Sequence, residues 1–372
     1  MRLAVLALAL GLVAACSGRY PHAEAGVQVL AAMPGLPAIP RGCLVANHVH
    51  TIISDRYSHA PGAVNVDYAY SKKGLASAIA AFERADVDAM VVTDHNAIDA
   101  IFDPQIQASG MTVIGGMEWT TRSGHALLIG FETTRASDAI LPPAWRTRPT
   151  LADFRVMVDR THARGGLVII AHPRVPFRTW PEDTFAADGV EVWGLDHFFM
   201  RNRAAQRWWH ERLVGDERLI AVAGTDLHPG ARIRSHQYPL NWVYASGCDR
   251  DAILAAMRAG HLLLIRDSKA PVVALGVETG GVRDFADAQA GDTVVLGGRE
   301  QVELQLRVTA GAGARLRVLG RAGLLHERRI DGPDRSVRLQ LQVKPGDFVR
   351  AELYAGRRGR KLMALSNPLY FR

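Results

Sequence analysis

Seven residues of types that bind divalent ions stand at the ends of short apolar runs: His48 and His50, His95, Glu118, His172, and Asp226 with His228. Imidazole nitrogens and carboxylate oxygens without thiolate suit Zn²⁺, Mn²⁺ or Fe²⁺. Residues two apart in an extended chain point the same way, so His48/His50 and Asp226/His228 can each turn two donors toward one point. Two neighbouring histidines alone would be weak; four further strand-end groups make the set informative. Seven donors exceed the three or four protein ligands of one catalytic zinc. Two or three ions are therefore expected, with Glu118 or Asp226 as bridges, and the chemistry they support is hydrolysis by activated water.

The elements that must position these residues are legible in the apolar runs. Cys43 to Ala46, Ala89 to Val92, Met111 to Gly116, Leu167 to Ala171, Val190 to Trp193 and Leu219 to Ala223 are rich in Val, Ile and Ala without strict alternation. That is the pattern of strands buried on both faces of a parallel sheet. Between them, Gly74 to Ala85 carries Leu75, Ile79 and Phe82 at helical spacing, and Leu151 to Arg164 carries Phe154, Met157 and Val158. Asn202 to Val214 and Asp249 to Ala259 read similarly, and Trp208-Trp209 reads as core packing. Strands alternating with helices predict an α/β fold. The polar residues would then gather at the C-terminal rim of the strands, where α/β barrels place their active sites. After Ser268 short β-prone segments follow, some alternating as in Val302-Glu303-Leu304-Gln305-Leu306-Arg307, which predicts a small β-sandwich-like domain.

Taken in order over residues 43–230, the motifs resemble those of the PHP (polymerase and histidinol phosphatase) metallohydrolases. They are His48-x-His50-Thr51 with Ser54-Asp55, Thr93-Asp94-His95-Asn96, Glu118, Ala171-His172-Pro173 and Gly224-Thr225-Asp226-Leu227-His228. Gly124-His125, Val190-Glu191-Val192-Trp193, the appended β region and the closing Ser366-Asn367-Pro368-Leu369-Tyr370 are similar to its carbaryl-hydrolase-like (CehA/McbA) branch. The resemblance implies an α/β fold built as a distorted (β/α)7 barrel, a di- or trinuclear centre, and hydrolysis, often of phosphoesters. The chain departs from the family at Ala46-Asn47 and Arg56 and from the branch at Gly194, positions that bear on substrate contacts and a third metal more than on the two-metal core.

Roles follow for individual residues. His48, His50, Glu118, His172 and Asp226 are ligands, while His95 and His228 either hold a further ion or act as acid on the leaving group. Asp55 is a ligand, a carboxylate orienting a histidine, or a turn residue. Asp94 supports His95. Arg174, directly after His172-Pro173, can meet a phosphate or carboxylate by a bidentate fork, and His197 is a second substrate-binding candidate; His125 also lies near a motif. Two substrate classes share such a site, phosphoesters and uncharged esters, carbamates or amides. A non-catalytic metal-binding surface protein is the reading from another class, against which the intact ligand set stands.

The start of the chain has the features of a processed segment. Arg2 precedes an unbroken apolar run from Leu3 to Leu12, and Ala14-Ala15-Cys16 resembles the lipobox of bacterial lipoproteins, in which the cysteine is lipidated. A plain signal peptide cut near Ala15 is the alternative. Residues 1–16 are thus a signal peptide, 17–41 a Pro- and Gly-rich tether, 42–268 the metallohydrolase and 269–372 the β-rich domain. The body is expected at the cell envelope, on the periplasmic side, meeting a membrane through a lipid anchor only. An oxidising compartment would permit a disulfide between Cys43 and Cys248, whose proximity the sequence does not show; the two read as unpaired small core residues. The net charge is +7, from scattered arginines without a basic helix interleaved with aromatics. No nucleic-acid partner is expected, and a small anionic substrate fits.

Overall fold

The computed structural model describes residues 20, 26–30, 41–51, 72–96, 98–121, 124–130, 150–173, 186–194, 199–228, 238–277, 288–356 and 361–372. It divides into two compact units: residues 40–270, and residues 271–372 with the described part of the first 39. Strand β1 (Val27–Leu30) belongs to the latter.

The first unit is a nine-strand sheet. Its members are β2 (Cys43–Val49), β3 (Ala89–Val92), β4 (Thr112–Thr121), β5 (Gly124–Ile129), β6 (Leu167–Ile170), β7 (Gly189–Trp193), β8 (Ile220–Ala223), β9 (Leu240–Val243) and β10 (Leu262–Ile265). Their order is β10-β9-β2-β3-β4-β5-β6-β7-β8. Every residue of β2, β3, β6 and β7 is buried, as their continuous apolar runs require. Helices α1 (Lys72–Arg84), α3 (Leu151–His162), α4 (Phe199–Val214) and α5 (Arg250–Ala259) bury one stripe each, and a single turn, α2 (Pro104–Gln107), precedes β4. Leu75, Ile79 and Phe82 are the stripe of α1, and Phe154, Met157 and Val158 that of α3. Each such side chain contributes about 1.5–3 kcal/mol. A Thr150–Asp153 capping box starts α3; Asp249 caps the start of α5, and left-handed Gly260 ends it. In α4, Trp209 is fully buried and its Nε1 donates to the Leu219 carbonyl at 2.8 Å, so the tryptophan pair is core, as expected.

Of the expected distorted (β/α)7 barrel, the described residues show the α/β sheet without a clear closed ring of paired strands. The path is open and mixed. Pairs β2/β3, β3/β4, β6/β7 and β7/β8 are parallel, but β4/β5, β5/β6, β2/β9 and β9/β10 are antiparallel. The reason is local: β5 folds back on β4 as a hairpin instead of crossing over through a helix. The end of the path still reaches its middle, because the Thr225 and Leu227 amides donate to the Asn47 and His48 carbonyls at 2.8 and 3.3 Å. Asn241 on β9 also clasps the Ala223 amide and carbonyl, at 2.8 and 2.9 Å.

The cysteine expectation is corrected as well: Cys43 and Cys248 form a disulfide. Strand β9 lies antiparallel beside β2, pairing Val243 with Cys43, and the turn after it carries Cys248 back to that position. A separation of 205 residues hides this from the sequence.

The second unit is all β. Strands β11 (Val272–Val277), β13 (Gln301–Thr309), β16 (Arg335–Gln342) and β1 form one antiparallel sheet, from which Val302, Leu304, Leu306 and Val308 are buried at alternate positions. The others are β12 (Thr293–Val294), β14 (Arg315–Gly320), β15 (Gly323–Arg329), β17 (Phe348–Ala355), β18 (Lys361–Ser366) and β19 (Leu369–Phe371), with β14, β15, β17 and β18 paired antiparallel. The stretch expected to be a tether contains β1, whose Val27 to Leu30 pair with Leu341 to Arg338 along the open edge of β16. Among the described residues no helix is long and apolar enough to cross a membrane.

Candidate metal centre

Backbone at the strand ends sets the site. The β2/β3 register jumps between Ala46 and Val49, and His48 lies at φ 64°. His48 and His50 thus face one centre through a bulge, not through the simple alternation expected of an extended chain. Asn96 (φ 52°), His172 (φ 23°) and Asp226 (φ 44°) are also left-handed, so four of the seven described non-glycine residues in that region are in or beside the site. Each costs of order 1–3 kcal/mol and persists only where its surroundings fix it. Asp94 supplies one such restraint, accepting from the Thr51 amide at 2.6 Å and its hydroxyl at 2.7 Å and so clamping the chain just after His50. The chain after β3 also runs beside β4: the Glu118 amide donates to Asp94 O at 3.0 Å and the Asn96 amide to Glu118 O at 2.9 Å, setting His95 beside Glu118.

Four side chains then converge on one point. His48 Nε2 lies 3.5 Å from both Glu118 Oε2 and Asp226 Oδ1. His50 Nε2 lies 3.5 and 3.4 Å from the same two oxygens. A tetrahedral ion bound at about 2.1 Å needs donor–donor separations of about 3.4 Å. His48 Nε2 is fully buried and makes no hydrogen bond, a costly state for a group that nothing else is to bind. The donor set and its spacing therefore fit a divalent ion. The other oxygen of Glu118 meets His125 Nδ1 at 2.6 Å and His172 Nε2 at 2.9 Å. His95 Nδ1 is 2.7 Å from Glu118 Oε2 and 2.6 Å from Thr120 Oγ1. His228 Nε2 is 3.0 Å from Asp226 Oδ1, and its ring stacks on His50 with centroids 4.2 Å apart. Ligand atoms of His50, His95 and His228 also lie close enough to share an ion, as do those of His95, Glu118 and His125.

Electrostatics favour ionised carboxylates and a neutral His50 at the centre. Burial opposes charge on Glu118, but His125, His95 and His48 hold its carboxyl well below the usual range. Burial likewise opposes charge on Asp226, and His48 with hydrogen bonds from His228 and His50 holds it well below. Burial, reinforced by His228, pushes His50 well below an ordinary imidazole. His48 goes the other way: burial opposes its charge, but Glu191, Glu118 and Asp226 raise it well above the ordinary value, so a proton there competes with an ion.

All seven ligand candidates named from the sequence, His48, His50, His95, Glu118, His172, Asp226 and His228, come together here. Asp55, Arg174, His197 and the lipidation candidate Cys16 lie outside the described residues. Two members had been given no firm role. His125, singled out in the sequence only by the Gly124-His125 motif, sits on β5 opposite Thr120 and on the same side as Glu118, a placement that depends on the hairpin register. Glu191 lies inside β7, and its Oε1 accepts from His48 Nδ1 at 2.9 Å. A charged residue within an otherwise apolar, fully buried strand was the signal that could have found it.

No family model matches the chain, and no curated protein matches it. Among solved structures it is similar to a two-domain protein from Bacteroides vulgatus ATCC 8482, described as containing a predicted PHP-like metal-dependent phosphoesterase. The two share 13% identity over 90% of this chain and 98% of that one, with a TM-score of 0.47. It is also similar to an amidohydrolase from Chromobacterium violaceum with bound sulfate and no metal, with 14% identity over 52% of this chain and 90% of that one and a TM-score of 0.34. Both likenesses are distant, and the site's own geometry carries its reading.

Proposed function

We propose that this chain is a metal-dependent hydrolase whose leading substrate class is phosphoesters. The observation that carries the reading is that the buried His48 and His50 each place Nε2 3.4–3.5 Å from both a Glu118 and an Asp226 carboxylate oxygen. These four would hold one ion, and Glu118 would help to hold another with His95 and His125, His172 lying against the same carboxylate. Divalent ions there, Mn²⁺, Zn²⁺ or Fe²⁺, would lower the pKa of bound water and draw charge from the scissile group. The chain's own part is to exclude water from the floor and meet substrate at the mouth. His48, His50 and Glu118 are wholly buried, whereas the side chains of His172 and His228 are 27% and 30% exposed. His228 and His95 would protonate the departing oxygen or hold a third ion. The phosphoester class is supported by the motif resemblance and by the +7 charge, which draws anions. An envelope location is supported by the lipobox-like start and the disulfide, which suits an oxidising compartment.

Elemental analysis of the purified chain, with turnover of chromogenic phosphoesters, carboxyl esters and carbamates under added Mn²⁺, Zn²⁺ or Fe²⁺, tests this. Bound metal and metal-dependent phosphoester turnover, both lost in a His48→Ala/His50→Ala variant, are expected. Turnover of carboxyl esters or carbamates alone would remove the phosphoester assignment, and a chain that binds no metal would remove the hydrolase reading.

A further inference from the structure

Among the described residues, the carboxylate of Glu191 approaches the centre from behind His48, away from the point shared by Glu118 and Asp226. It lies in β7 among Gly189, Val190, Val192 and Trp193, and its side chain is 3% exposed. A carboxylate so buried requires partners. Both of its oxygens reach ligand residues: Oε1 accepts from His48 Nδ1 at 2.9 Å, and Oε2 accepts from the backbone amide of His172 at 2.9 Å. His48 belongs to the four-donor set; His172 meets the other oxygen of Glu118. One side chain therefore touches both halves of the centre.

The contacts have chemical consequences. A carboxylate can only accept, so His48 carries its proton on Nδ1 and presents the lone pair of Nε2 to the ion. The second contact fixes the amide of a residue whose left-handed backbone needs such a restraint. The neighbouring strand end leaves room for this arrangement. A Cβ on Gly224 would lie 1.9 Å from Glu191 Oε1 and 2.4 Å from its Cδ. Gly224 is not in the left-handed region, so an alanine there has no backbone penalty of that kind; its methyl would displace the carboxylate.

We propose that Glu191 is a positioning residue that holds His48 and His172 in register for two ions at once, and that Gly224 is small in order to admit it. The inference rests on the metal-centre reading above. Its test is the affinity of the apoprotein for Mn²⁺, measured by titration calorimetry, with the melting temperature of the apoprotein recorded beside it. Glu191→Ala should weaken Mn²⁺ binding by about 10–100-fold, the usual cost of losing a carboxylate behind a ligating histidine. Glu191→Gln should fall between, since its amide oxygen can still accept from His48 while its NH₂ cannot accept from the His172 amide. Gly224→Ala, with Glu191 intact, should weaken binding in the same way. The double variant Glu191→Ala/Gly224→Ala should be no weaker than Glu191→Ala, because the glycine acts only through that carboxylate. Should Glu191→Ala fail to fold, Glu191→Gln and Gly224→Ala decide the matter. Affinities within about twofold of wild type, with only a lowered melting temperature, would show a purely structural role and overturn the proposal; so would fully additive losses in the double variant. A wild-type chain that binds no Mn²⁺, Zn²⁺ or Fe²⁺ would instead overturn the metal-centre reading itself.

Discussion

The disulfide gives the sharpest quantitative expectation. Cys43 opens β2, the strand whose far end bears His48 and His50, and Cys248 lies in the turn before α5. The bond spans 205 residues, nearly the whole of the first unit, so in the unfolded chain it closes one very large loop. The chain-entropy relation gives about 5 kcal/mol at 25 °C for a loop of that length, at the upper end of the ~2–5 kcal/mol typical on removing a native disulfide. For a unit of this size each kcal/mol moves the melting temperature by about 2–4 °C, so about 10–20 °C is at stake. The comparison is Cys43→Ala/Cys248→Ala against its parent, both carrying Cys16→Ser, by guanidinium and thermal unfolding with and without metal. The variant should lose stability by this amount yet keep its Mn²⁺ affinity, because the ligands sit at the opposite end of β2. Equal stability within about 0.5 kcal/mol, or two thiols titrating in the unreduced, denatured parent, would refute the reasoning.

The remaining expectations concern the centre and the core around it. Glu118→Gln should cost affinity for two ions, since both carboxylate oxygens of Glu118 meet histidines, whereas His228→Ala should spare the four-donor site; calorimetric stoichiometries separate the two. Metal loading should depend on pH through His48, whose imidazolium is favoured to well above the ordinary value of 6.5, while Glu118 and Asp226 stay ionised. Protons thus compete most at low pH, and Mn²⁺ affinity should go on rising with pH beyond the ordinary imidazole range; a flat or falling profile would contradict this assignment. Trp209→Ala, which empties a fully buried site and removes the bond to Leu219, should cost about 3–5 kcal/mol of unfolding free energy measured in denaturant, and a loss near zero would contradict the packing described.

The sequence by itself determined the kinds of atoms at this centre and the strand ends that deliver them. Histidine, aspartate and glutamate after buried Val, Ile and Ala runs are local facts, and all seven ligand candidates converge because each run does become a strand, with its donor at or just beyond the C-terminal end except for Glu118 within β4. The helical stripes of α1, α3 and α5 were legible for the same reason, since their periodicity is a property of neighbouring residues. What tertiary structure decided is everything that depends on register between distant segments. The hairpin of β4 and β5 replaces a crossover and brings His125 to Glu118, and the pairing of β9 with β2 brings Cys248 to Cys43. The bulge that leaves His48 at φ 64° turns it toward Glu118 and Asp226, and the space beside Gly224 lets Glu191 reach it from behind. Residue type can be read one position at a time, but the sharing of an ion is a matter of tenths of an ångström between chains brought together by hydrogen-bond ladders, and no single segment encodes that distance.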